Sequence, residues 1–256
     1  RTDHIIFGES DGGYHAYDVE EAFEGHQLYA LRDRYGISGG NLTDLPSETV
    51  EGVIAGKRVS ANLPSLLLHE IDVFITMPVP KTHVMTRVSL AFKNQWGCIP
   101  SPMRLREHYD FDHKIVLINK LLQPKFAVMD GTFAGDGPGP RAMRWHETDV
   151  LLASADQVAI DAMSAKIQGF DPLSLDFIRL AHEKDLGVGD PRQIEILGDA
   201  DVAQESWGYV REDTLASKGQ EWIYHGWLHA FEKPLLRSPI VPWSYFASNL
   251  YHNVYW

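Results

Sequence analysis

Lys81, Thr82 and His83 stand together directly after Pro78-Val79-Pro80, and Thr86, Lys93 and Asn94 follow in the same segment. A lysine supplies a point charge, hydroxyls supply donors, and a helix N-terminus supplies free N–H groups, which together suit a phosphate or a carboxylate. The apolar run Asp72–Met77 precedes them and reads as a strand buried on both faces. In open α/β sheets ligands bind beyond the C-terminal ends of such strands. The alternative is that Lys81 is solvated and His83 packs or caps; the concentration of these groups after one strand keeps the two readings level.

Further constellations follow. In Arg104–Asp112, a helix would place His108 and Asp112 four apart on one face, a spacing that permits two ligands to one divalent metal, with Arg104 beside them for an anion. The same segment also reads as a polar surface helix. Asp130 ends the apolar run Lys125–Met129 and opens the glycine-rich loop that runs through Gly135-Asp136-Gly137-Pro138-Gly139-Pro140. Asp130 and Asp136 are candidates to join His83 or His108 around a metal, against the reading of a long surface turn. That loop lacks the Lys-Ser/Thr ending of a phosphate-binding loop and does not run Gly-x-Gly-x-x-Gly into a helix. Cys98 is a lone cysteine, which reads as a small buried apolar residue before a nucleophile. Asp161 falls on an apolar helix stripe, which requires a partner: a site lysine such as Lys93, or a loop to cap.

The elements that must position these residues alternate. Strands are expected at His4–Gly8, Asp72–Met77, Lys125–Met129, Asp149–Ala153 and Gln193–Leu197, and a hairpin at Val50–Ile54 and Lys57–Ala61 across Ala55-Gly56. Helices are expected at Asp18–Tyr35, Val84–Phe92, His113–Leu122, Asp156–Gln168 and Leu173–Asp185. Alternation of this kind predicts a three-layer α/β domain, with a mostly parallel sheet and flanking helices, over residues 1–202. From residue 203 onward the composition turns aromatic: five of the seven tryptophans, Trp207, Trp222, Trp227, Trp243 and Trp256, lie there. Residues 203–256 are therefore expected to form an extension that wraps the body or makes a contact between copies.

Composition limits the rest. Acidic residues outnumber basic ones 35 to 23 and the formal charge is −12, which argues against a general nucleic-acid binder. No run of about 18 apolar residues predicts a spanning helix. One cysteine excludes an internal disulfide and an iron–sulfur cluster held by this chain alone. The chain begins Arg1-Thr2-Asp3 without a methionine, so an upstream targeting segment is outside the reading, and a cytoplasmic location is the expectation.

As a set, Pro80-Lys81-Thr82-His83, Lys93-Asn94 with Trp96-Gly97, Arg104–His108, Asp130-Gly131 with Gly135–Pro140, Ala155-Asp156 with Asp161, and Gly187–Asp190 with Ile194–Gly198 resemble the domain-of-unknown-function family 362. The resemblance runs from about Gly8 to Gly198 and leaves the aromatic tail outside. It implies an α/β fold. Many members carry a ferredoxin-like segment, which this chain departs from with its single cysteine. Members also usually have an earlier strand and a Lys-Pro-Asn segment before the region matching His4, so a first strand unit is expected to be missing here.

The expected function is an enzyme acting on a small anionic metabolite. Lys81, Thr82, Thr86, Lys93, Asn94 and Arg104 would bind the anion; Lys81, Lys93 and His83 would do the chemistry; His83, His108, Asp112 and Asp130 would hold a divalent metal ion or act as acid and base. The competing expectation is a non-catalytic metal or cofactor carrier or accessory protein in a redox pathway. Its protein contacts would be a second copy of the chain or a redox partner.

Overall fold

The computed structural model describes residues 4–12, 18–137, 143–212, 215–224 and 226–255. Gly139 and the end of the glycine loop, together with His15, His225 and Trp256, lie outside the described residues. Strand β1 (Ile6–Glu9) pairs in parallel with β2 (Ser38–Asn41). Between them run two helices, α1 (Val19–Gly25) and α2 (Leu28–Tyr35), where one was expected. Asp18 caps α1 by accepting from the Glu20 N–H. The break falls at Gln27, whose backbone takes the left-handed conformation at φ 55.

The hairpin is longer than expected, with β3 (Ser47–Ile54) against β4 (Lys57–Pro64). Its two turn residues, Ala55 and Gly56, both have positive φ, the geometry whose twist matches the flanking strands. Helix α3 (Ser65–His69) follows. The expected buried strand Asp72–Met77 shrinks to β5 (Ile75–Thr76). Val73, Ile75 and Met77 are exposed while Thr76 is buried, so only one face of this run is covered.

Where a helix was expected over Val84–Phe92, the chain makes a tight antiparallel turn from β6 (Lys81–His83) to β7 (Arg87–Ser89) and only then a short helix, α4 (Ala91–Asn94). The reason is local. The His83 ring accepts the N–H groups of Met85 and Thr86, which satisfies the turn without a helix. Helix α5 (Phe111–Leu122) then leads into a long hairpin, β8 (Phe126–Asp136) with β9 (Arg144–Ser154). The hairpin carries an irregularity between Gly131 and Phe133. A Cβ on Gly131 would sit 2.7 Å from the Val150 carbonyl oxygen, so the strands approach closely there only because that residue is glycine.

Strand β8 takes β5 and β6 as parallel neighbours and β9 as an antiparallel one. The protein is thus mixed α/β, but among the described residues its strands form three separate sheets of mixed sense, not one mostly parallel sheet. A β8 that overruns its expected end and folds straight back occupies a position that a crossover helix would otherwise have served. The expected last strand, Gln193–Leu197, is absent. Asp190 instead caps a single 3₁₀ turn at Pro191–Gln193.

Helices α6 (Gln157–Gln168) and α7 (Asp176–Glu183) complete the main core with α5, β4 and β8. Gly169, at φ 100, ends α6 as its spacing suggests. The aromatic tail is helical: α8 (Leu215–Tyr224), α9 (Glu232–Arg237) and α10 (Ile240–Tyr255). Tyr224, Leu236 and Val241 from these helices close on Tyr109, Met85 and Leu105 in a second, smaller cluster. Among the described residues no helix is long and apolar enough to cross a membrane.

Asp156 joins α6 to its surroundings. Its carboxylate accepts from the N–H groups of Val158 and Ala159 and, across a loop, from Val188. The substitution Asp156→Ala is expected to cost about 1–2 kcal/mol, read as a lower urea midpoint with unchanged slope; an unchanged midpoint would show that this cap contributes nothing.

Candidate functional site

The site is built from a carboxylate that carries no chemistry itself. Asp161, fully buried on α6, presents both oxygens to the start of α4, accepting from Ala91 N–H at 2.7 Å and Phe92 N–H at 2.9 Å. Burial pushes its carboxyl up to about 8 against the pull of those two donors. At the other side, the Asn119 amide donates to the Phe92 carbonyl at 2.6 Å. A four-residue helix has little stability of its own, so these contacts fix α4. What α4 carries is Lys93 and Asn94.

Lys93 is 8% exposed. Its ammonium donates to the Ser89 hydroxyl at 3.1 Å and lies 5.7 Å from the centre of the Phe111 ring. Among the described residues it makes no ion pair. Burial first, then the charges of Lys81 and Arg104, lowers it to about 7. Lys81, half-buried in β6, is also lowered by burial, opposed by Glu9.

Phe111, the first residue of α5, is the floor of the cluster. Around its ring lie Trp96 at 4.5 Å, His108 at 4.3 Å and His83 at 6.4 Å, besides the Lys93 ammonium. Both imidazoles sit well below their usual range because of burial and then the Lys93 charge, so both are neutral near pH 7. Since His83 Nδ1 accepts two backbone N–H groups, its proton is on Nε2. His108 Nδ1 and the Trp96 indole nitrogen are buried without a hydrogen-bond partner.

The wall towards β1 adds Arg104, which donates to the Ser10 hydroxyl at 2.7 Å and the Ile99 carbonyl at 3.0 Å. Ser10 in turn bonds the Gly97 carbonyl. Cys98 is buried here, and burial pushes its thiol up to about 12, with Glu9 adding to the rise. It is a packed thiol and not a poised nucleophile.

Of the residues expected to act, His83, Lys93 and His108 meet around Phe111, and Lys81 and Arg104 act on Lys93 through their charges. Thr82 and Thr86 are close in sequence but spent on structure: Thr82 donates to the Gly137 carbonyl and Thr86 to the Val88 carbonyl. Asn94 donates to the Thr76 hydroxyl at 3.0 Å. Asp112 turns away, packing against α7, where burial and then Asp176 raise it to about 7. Asp130 is exposed and closes a turn on Thr132. Asp136 is held by Arg144, His146 and the Val210 N–H, which overcome its burial and bring it to about 2. Of the four expected metal ligands, then, only His83 and His108 share a neighbourhood, and no group of three metal-binding side chains forms among the described residues. The separation has a simple cause: His108 lies on a 3₁₀ turn that ends before α5 begins, so the helical spacing that would join it to Asp112 does not exist.

Sequence reasoning missed Ser10, Glu9 and Lys114. Glu9 is the last residue of β1 and Ser10 follows it, the strand-end position at which ligand groups are sought. Lys114 is fully buried on α5, donating to the Glu107 carboxylate at 2.9 Å and lying 3.4 Å from the Tyr109 ring centre. Its signal was a lysine next to the apolar stripe of Ile115 and Ile118.

A family model described as a domain of unknown function, DUF362, matches residues 1–166. The chain belongs to this family. The DUF362 match contains the whole cation cluster and ends within α6, after Asp161, so α7 and the tail helices lie beyond it. The chain is also similar to a thylakoid-associated protein from Synechocystis sp., with 29% identity over 126 residues, which is 46% of this chain and 39% of that relative. No solved structure matches this DUF362 chain.

Two outcomes test this geometry. Asp161→Ala leaves two buried N–H groups without acceptors and is expected to cost about 2–5 kcal/mol, with Asp161→Asn, which keeps one acceptor, falling between it and the unchanged protein in thermal melts. Equal melting of all three would separate Asp161 from α4. The Cys98 thiol is expected to resist a colorimetric disulfide reagent at pH 8 in the folded protein and to react at once in guanidinium; rapid labelling of the native state would contradict its burial.

Proposed function

We propose that this DUF362 protein binds a small anionic metabolite in the Lys81, Lys93 and Arg104 cluster and acts on it as an enzyme, with Lys93 as the group that gains and loses a proton. One observation carries the reading: the buried Lys93 ammonium donates only to the neutral Ser89 hydroxyl and makes no ion pair among the described residues, while the charges of Lys81 and Arg104 act against it. Like charges in a low-dielectric setting repel; Glu9 offsets Lys81, and an anion is the partner that would relieve Lys93. Natural buried charges are paired; for Lys93 the proposed partner is the ligand.

The neutral His83 and His108 suit the same purpose. Neither adds charge, and each presents a ring nitrogen with which to hold or pass a proton beside the bound group. The aromatic walls, Phe111 and Trp96, exclude water and strengthen the electrostatics. The carrier alternative would need only the cations; the near-neutral lysine between two neutral imidazoles favours catalysis.

The pH dependence has a definite sign. Lys93 is protonated below about 7 and neutral above it, and an anion binds the protonated form. Inorganic phosphate, pyrophosphate and malonate, titrated by calorimetry and thermal shift, are expected to bind at pH 6 and to bind about tenfold or more weakly at pH 9, in keeping with the loss of one close charge. Binding near pH 7 takes up protons. The Lys93→Met protein should bind weakly at both pH values. An absence of binding by every one of these anions at pH 6 would end the proposal. In the ligand-free protein the same group acts in the opposite sense: the unfolded chain holds that proton up to about 10, so Lys93 alone makes stability rise as pH increases from about 7 towards that value.

A further inference from the structure

We infer that helix α10 is a membrane-surface element, which docks the protein on a bilayer of zwitterionic lipid and lies in the plane of its headgroups. This goes beyond the anion site and does not depend on it.

One helix shows two faces. Val241 is buried with Leu236 and Tyr224 against Tyr109, so α10 is fixed to the body by one side. Ile240, Trp243, Phe246 and Leu250 are each more than half exposed, Trp243 at 68% and Phe246 at 66%. At about 100° per residue these four fall within about 120° of one another around the axis, on the side away from Val241. The turn before the helix adds Trp227 and Phe231, exposed as well. Single apolar side chains at a surface are ordinary, but a row of large ones along a helix marks a contact surface.

The face has a definite chemistry. Across its sixteen residues α10 has no Asp, Glu, Lys or Arg. The one acidic residue among 226–256, Glu232, is buried, and Lys233 and Arg237 lie over the Tyr109 ring. The α10 face therefore brings no carboxylate to desolvate and no basic patch to draw an anionic surface.

Charge selects the occupant. The chain carries −12, a second copy carries the same, and an anionic headgroup layer is negative too, so both are repelled. A zwitterionic headgroup layer is not. Tryptophan suits that boundary, with an apolar ring for the acyl side and an N–H for the wet side. The helix is about 24 Å long, short of the roughly 30 Å of a hydrocarbon core, and it includes Ser244, Asn249 and Asn253. It therefore lies on the bilayer and does not cross it.

The test uses the whole protein with phosphatidylcholine vesicles, read by flotation, by tryptophan emission and by quenching from bromine-labelled lipid. The protein is expected to float with the vesicles, to emit at shorter wavelength and to be quenched most by bromines close to the headgroups. Binding should survive high salt and weaken when phosphatidylglycerol is added. The double variant Trp243→Ser, Phe246→Ser and the single variant Leu250→Glu should each bind about tenfold or more weakly, with urea midpoints unchanged because these side chains lie outside the core. No binding to phosphatidylcholine, binding that both variants keep, or binding that needs phosphatidylglycerol and vanishes at high salt would each overturn the inference. A dimer seen by sedimentation velocity without lipid, and abolished by the same variants, would assign the face to a second copy and overturn it too. The anion titrations are made without lipid, so either proposal can fail while the other stands.

Discussion

The contact between Asp161 and the first N–H groups of α4 is the constraint on which the site depends. Helix α4 is one turn long and would not persist alone. Held by Asp161 from α6 and by Asn119 from α5, it is locked to the two longest helices of the core. Lys93 therefore keeps its place inside the protein despite the cost of burying an amine, and that cost appears as its lowered proton affinity. A carboxylate that spends both oxygens on backbone N–H groups makes no ion pair with the lysine.

The same economy explains the surrounding polar residues. Thr82, Thr86 and Asn94 look like ligand-binding groups in sequence, yet each secures backbone or a neighbouring side chain, and together they hold the β6–β7 turn and the end of α4 rigid around Lys81, His83 and Lys93. The tail helices continue the enclosure. Tyr224 reaches the ring of His108 at 6.2 Å, and Lys233 and Arg237 lie over Tyr109, so the segment beyond the family match packs against the residues that flank the site.

How much was legible depended on range. Turns and helix ends read correctly where they are settled within a few residues: the hairpin turns at Ala55-Gly56 and α6 ends at Gln168, as expected. Apolar runs misled when burial had to be inferred. Asp72–Met77 has the composition of a strand covered on both sides, but one side is open, and Val84–Phe92 has a helical pattern that the His83 turn overrides. The parallel sheet was inferred from the alternation of elements, and that inference cannot see that β8 continues past Asp130 and returns as β9.

For the site, sequence alone determined the dense run from Lys81 to Asn94 and the need of Asp161 for a buried partner, because each follows from residue type and immediate neighbours. Only the tertiary structure decided which of the charged groups meet. It gathered His83, His108 and Lys93 around one phenylalanine and sent Asp112 and Asp130 elsewhere. The physical reason is that electrostatic character belongs to a volume and not to a segment: the charge on a lysine is set by what is buried beside it, and that is fixed by contacts between helices far apart in the chain.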